Sequence, residues 1–64
     1  MKKFWKMIDG YLYRYECYRT DTFDANNKYY DLLYSGGYSS VEQIYNRKKD
    51  RFDIFVRPIT GDEE

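Results

Sequence analysis

Asp9-Gly10-Tyr11-Leu12-Tyr13-Arg14-Tyr15-Glu16-Cys17-Tyr18 is the stretch that decides the fold. In an extended chain successive side chains point to opposite sides, so Tyr11, Tyr13, Tyr15 and Cys17 share one side. Leu12, Arg14, Glu16 and Tyr18 share the other. Asp-Gly ahead of this alternation suits a two-residue hairpin turn, whose central residues need positive φ. Upstream, Phe4 to Ile8 is apolar enough to be the first arm. The expectation is a hairpin with strands at about 3–8 and 11–20.

Downstream, Asp21 to Asn27 is polar, with Asp24 a suitable N-cap. Tyr29, Leu32 and Leu33 then fall on one helical stripe, with Tyr30 and Tyr34 beside it at i, i+4. Gly36-Gly37 supplies a stop, because glycine accepts the left-handed conformation that closes many helices. The spacing predicts a helix over about 25–35, resting on the Tyr11-Tyr13-Tyr15-Cys17 side of the sheet. Residues 39–48 read two ways. Ser39-Ser40-Val41-Glu42 has the form of a capping box, and Val41, Ile44 and Tyr45 have helical spacing, which favours a short helix at 40–47. A strand from Val41 to Tyr45, paired with the next one, reads nearly as well. Arg47-Lys48-Lys49-Asp50 is a charged connector, and 51–57 is a β-rich strand ended by Pro58, which cannot donate to a ladder. Residues 59–64 are expected to be a frayed acidic tail. The fold class is therefore α+β: one domain over 1–64, a small antiparallel sheet and one main helix.

A chain of 64 residues lies near the lower limit for a self-sufficient core, and nine tyrosines answer that limit. Each ring buries apolar area while its hydroxyl stays at the rim. The same rings are enriched at binding hot spots, so tyrosines outside the strand serve core and recognition equally well on sequence alone. Formal charge is zero but unevenly spread: residues 21–42 carry Asp21, Asp24, Asp31 and Glu42 against Lys28, and basic segments lie on both sides. That balance argues against direct nucleic-acid binding, which ordinarily needs net positive charge. Cys17 is the only cysteine, so no internal disulfide forms, and the chain is expected to be intracellular, without a signal or membrane segment.

Chemistry is sparse. There is no histidine, so the commonest general base and zinc ligand are missing. A lone cysteine without a base is a poor nucleophile. The aspartates lack calcium-loop spacing, and Ser35-Gly36-Gly37 is a helix stop and not a phosphate loop. A helix-turn-helix reading through Leu33 and Gly37 fails at Gln43, where an apolar residue is required. No cofactor, metal or catalytic residue is expected. What remains is a helix face that carries Tyr30, Asp31 and Tyr34, either packing its rings on the sheet or offering them with a carboxylate to a partner.

These residues resemble the short uracil-DNA glycosylase inhibitors of small tailed Bacillus phages. The resemblance covers residues 9–44: a strand ending in Asp9-Gly10, the step Tyr15-Glu16, the helix Tyr30-Asp31-Leu32-Leu33-Tyr34 before Gly36, and Ser39 to Glu42 leading onward. It implies a homodimeric DNA mimic, not an enzyme, that fills the glycosylase's DNA-binding cleft in the host cytoplasm. A glycosylase extrudes its base by pushing an apolar wedge into the duplex. By the resemblance, Tyr30 and Tyr34 line a pocket for that wedge, while Asp31 and Glu16 stand where phosphates would lie. The connection from Arg19 to Asn27 and the chain beyond Tyr45 are longer than in the family, and Tyr30 carries a hydroxyl that makes such a pocket wetter. Two other partner classes fit the same composition: another anti-defence target, as an anti-CRISPR would have, or nucleic acid held by Arg47, Lys48, Lys49 and Arg51.

Overall fold

A computed structural model describes residues 4–59. Two strands, a helix and two further strands follow one another: β1 (Trp5–Ile8), β2 (Tyr11–Arg19), α1 (Thr22–Leu33), β3 (Tyr38–Asn46) and β4 (Arg51–Pro58). The strands form one antiparallel sheet in the order β1-β2-β4-β3, with α1 on one side, so the fold is α+β. The last strand thus sits between the second and third. The expected 59–64 tail lies outside the described residues, apart from an exposed Ile59.

The β1–β2 turn is the one that the sequence predicts: Asp9 and Gly10 have φ of 52° and 86°, the two positive values of a tight hairpin. The helix begins earlier than expected. Asp21, not Asp24, is its N-cap, with an extended backbone and a carboxylate that accepts from the Phe23 and Asp24 amides at 3.0 and 3.2 Å. Asp24 instead lies in the first turn, where its charge favours the helix dipole. The earlier start lets Ala25 join the buried stripe with Leu32, flanked by the half-buried Tyr29 and Leu33. Gly36, at φ 85°, turns the chain away after the C-cap Tyr34, and the Ser35 hydroxyl donates to the Leu32 carbonyl at 2.8 Å.

Residues 38–46 are a strand, so of the two readings of 40–47 the strand holds and the slightly favoured short helix does not form. The serines that resembled a helix cap serve the sheet. Ser39 Oγ donates to the Arg57 carbonyl at 3.2 Å, and Ser40 Oγ accepts from the Tyr13 hydroxyl at 3.0 Å. Pairing with β4 sets the period of two, turning Val41 and Gln43 toward α1 and Glu42 and Ile44 away.

A second correction concerns the tyrosine side of β2. Leu32 of α1 packs on Val41, Ile54 and Val56, so these residues mark the covered face of the sheet. Tyr15 pairs with Phe55, whose side chain points the other way. Tyr11, Tyr13 and Tyr15 therefore lie on the open face, opposite the helix. A bulge at Glu16 then shifts the phase, so that Cys17 pairs with Ile54 and packs against the core under α1. The extra residue breaks an alternation that looks unbroken in the sequence. Tyr18 consequently returns to the open face, opposite Asp53.

Candidate functional surfaces

Tyr30, Asp31 and Tyr34 come from the side of α1 that faces away from the sheet. A helix turns about 100° per residue, so with Ala25, Tyr29, Leu32 and Leu33 inward these three must point outward. The Tyr30 and Tyr34 rings stack at 6.0 Å between centroids with planes 15° apart, and Tyr29 meets Tyr30 edge-on at 5.0 Å. Tyr30 is 50% exposed and Tyr34 78%. With Asn27, Asp31 and Ser35 they line a shallow depression beside the helix C-terminus. Asp31 also borders a second, polar depression with Arg19, Asp24 and Lys28.

Glu16 does not join this group. It occupies the β2 bulge, half-buried, and its carboxylate takes the Arg14 guanidinium at 3.1 Å. Arg14 also reaches the Tyr38 hydroxyl at 3.4 Å. The Glu16 carboxylate is thus paired within the sheet. Three of the four expected contact residues are thus together, and the fourth is engaged elsewhere.

The open face of the sheet holds what the sequence reading did not assemble. Arg51 lies over the Tyr18 ring at 4.1 Å and Arg57 over the Tyr11 ring at 4.0 Å. Phe4, Tyr15 and Phe55 form an aromatic cluster, with Tyr15 edge-on to both at 6.4 and 5.6 Å. Burial raises the Tyr15 phenol above its ordinary range; the nearby Arg51 opposes this and Asp53 adds to it. Asp53 accepts from Arg51 Nε at 2.8 Å and from Asn46 Nδ2 at 3.0 Å. Register pairing was the missing signal, since Tyr18 faces Asp53 only once the bulge is known.

Among the described residues no three His, Cys, Asp or Glu side chains gather as a metal site would require. Burial raises the Cys17 thiol above its ordinary value, the direction opposite to activation. Among the described residues no helix is long and apolar enough to cross a membrane. No protein-family model matches the chain, and neither a curated protein nor a solved structure is significantly similar to it.

Proposed function

We propose that this protein is a stoichiometric inhibitor, not an enzyme, which acts in the cytoplasm of a bacterial host by seating the Tyr30-Asp31-Tyr34 face of α1 in the DNA-binding cleft of uracil-DNA glycosylase. The observation that carries the reading is the outward, stacked Tyr30–Tyr34 pair with a carboxylate between them in sequence. Rings exposed to this extent contribute little to the core, yet they offer a rigid apolar clasp beside a negative charge. A DNA-reading enzyme presents the complementary surface, an apolar wedge set among cations. The target's identity rests on the resemblance set out above. Glu16 is dropped from the contact set because Arg14 already holds it.

Homodimerisation belongs to the same proposal. Met7 and Leu12 pair across β1 and β2 on the helix side of the sheet, yet they are 65% and 51% exposed, outside the cover of α1. An uncovered apolar pair on so small a domain favours a second copy.

A uracil-excision assay tests the function. Activity should fall to zero near one dimer per enzyme, with no effect at large excess refuting the reading. Tyr34→Ala should weaken inhibition at least tenfold, about 1.4 kcal/mol or more, as expected of a hot-spot ring. Lys48→Ala, in the opposite turn, should leave it within twofold. Sedimentation at micromolar concentration should give a dimer, and Leu12→Lys a monomer.

A further inference from the structure

We propose that the open face of the sheet is a second binding surface, one that takes single-stranded nucleic acid. It lies opposite the α1 face and goes beyond the inhibitor reading, which it neither needs nor supports. A formal charge of zero argues against nucleic-acid binding only if the charge is mixed over the surface. The fold separates it. Lys6, Arg51 and Arg57 share the open face, and the adjoining β3–β4 turn adds Arg47, Lys48 and Lys49. Against these six stand Glu42, Asp50 and Asp53, of which Asp53 is paired with Arg51 and Asp50 accepts from the Tyr45 hydroxyl at 2.5 Å. The other side carries Asp21, Asp24 and Asp31 on the helix and its cap against Lys28, with Arg19 and the Arg14–Glu16 pair on the sheet beside it. The excess of positive charge therefore lies on the open side.

Aromatic content specifies the kind of anion. Tyr11, Tyr18 and Phe4 are 55%, 47% and 60% exposed, although the sheet could have buried them under a second layer. Arg57 and Arg51 lie over the Tyr11 and Tyr18 rings, 4.0 and 4.1 Å from their centroids, so guanidinium and ring come together on this face. Unpaired bases stack on both kinds of group. Phe4 and Lys6 border a groove that runs between the β1 edge and Arg47 and Lys48. A chain of alternating phosphates and unpaired bases satisfies both requirements at once. Duplex DNA would meet the phosphate requirement alone, its bases being stacked away. Nothing on this face distinguishes ribose from deoxyribose, so DNA and RNA strands are separate arms of the test.

Fluorescence anisotropy with labelled oligo-dT and oligo-U of about 15 nucleotides, a length that spans one small domain, measures the binding. Full-length protein should bind one or both strands at about 50 mM salt, at least tenfold tighter than a duplex of equal length, and lose most of that affinity by about 200 mM. Arg51→Gln with Arg57→Gln should weaken binding at least tenfold and reduce the salt slope by about 1–2. Phe4→Ala and Lys6→Gln, both at exposed positions and with an unchanged urea midpoint as the control for folding, should each weaken it about three- to tenfold. Asp31→Asn, on the opposite side, should change it less than twofold. No binding at low salt, equal binding of duplex, or indifference to Phe4→Ala and Lys6→Gln would each overturn the proposal. Because Tyr34→Ala tests the other face, failure here leaves the glycosylase assay to stand or fall separately.

Discussion

Cys17 shows how one residue's chemistry follows from a single inserted neighbour. With Glu16 bulged, the thiol packs against Ile54 and the core under α1, and burial raises its pKa above the ordinary 9.0. Arg19 and Lys28 pull the other way, but desolvation is the larger effect. At neutral pH the thiol is protonated, and iodoacetamide should modify native protein at least tenfold more slowly than urea-unfolded protein. Equal rates would place Cys17 on the open face. The sign of the pH effect follows from linkage. A pKa raised on folding means that the native state holds its proton where the unfolded chain has released it, so stability is complete below the unfolded value and declines above it. Tyr15, raised above 10.0 by burial, acts in the same direction. Urea midpoints should therefore be level through neutral pH and fall as pH rises past 9, and Cys17→Ser should remove the earlier part of that fall.

At the scale of elements, some boundaries were legible in the sequence and others were not. The Asp9-Gly10 turn and the glycine at the end of α1 were legible because positive φ restricts residue choice so strongly. The start of α1 was less so, since two aspartates three apart both fit a cap. The outcome turns on Ala25, buried completely, which requires the helix to be under way before it. Asp21→Ala should cost about 1 kcal/mol in urea denaturation, and Asp24→Ala, which loses only a dipole interaction, about half that or less. The reverse ranking would restore Asp24 as the cap. Strand β3 was ambiguous for a different reason. Ser39 to Tyr45 satisfies helical and extended spacing alike, and the deciding influence is β4, whose apolar residues are adjacent only after folding. The bulge, which no residue type in Tyr15-Glu16-Cys17 announces, separates Cys17 from Tyr11, Tyr13 and Tyr15, while the side that the helix covers is set by Ile54 and Val56 of β4.

Over the whole molecule, what a sequence reading recovers depends on whether partners are near in the chain. Tyr30, Asp31 and Tyr34 sit within one helical turn, so their shared face could be read directly. Tyr11 with Arg57, and Tyr18 with Arg51, join opposite ends of the chain, and they meet only because β4 enters beside β2. That strand order also governs stability. Ile54 and Val56, the two fully buried large side chains, both belong to β4, and β4 has a bonded neighbour on each side. β1 is four residues long, has one neighbour, and leaves Met7 exposed. Opening β4 must therefore dismantle the core, whereas in the monomer, below the concentration at which the proposed dimer covers Met7 and Leu12, β1 can detach while the rest persists. Native-state hydrogen exchange should show this as two classes. Amides of Ile54, Phe55 and Val56 should exchange only through global unfolding, with protection on the order of a thousandfold or more for a domain of ordinary stability. The bonded amides of Trp5–Ile8 should exchange at least tenfold faster and respond weakly to low urea, as local fraying does. Ile54→Ala should lower β4 protection by about 2–4 kcal/mol, the cost of truncating a buried aliphatic residue, while β1 protection changes much less. Equal protection in the two strands, falling together on mutation, would mean that the hairpin and the helix-covered core unfold as one unit.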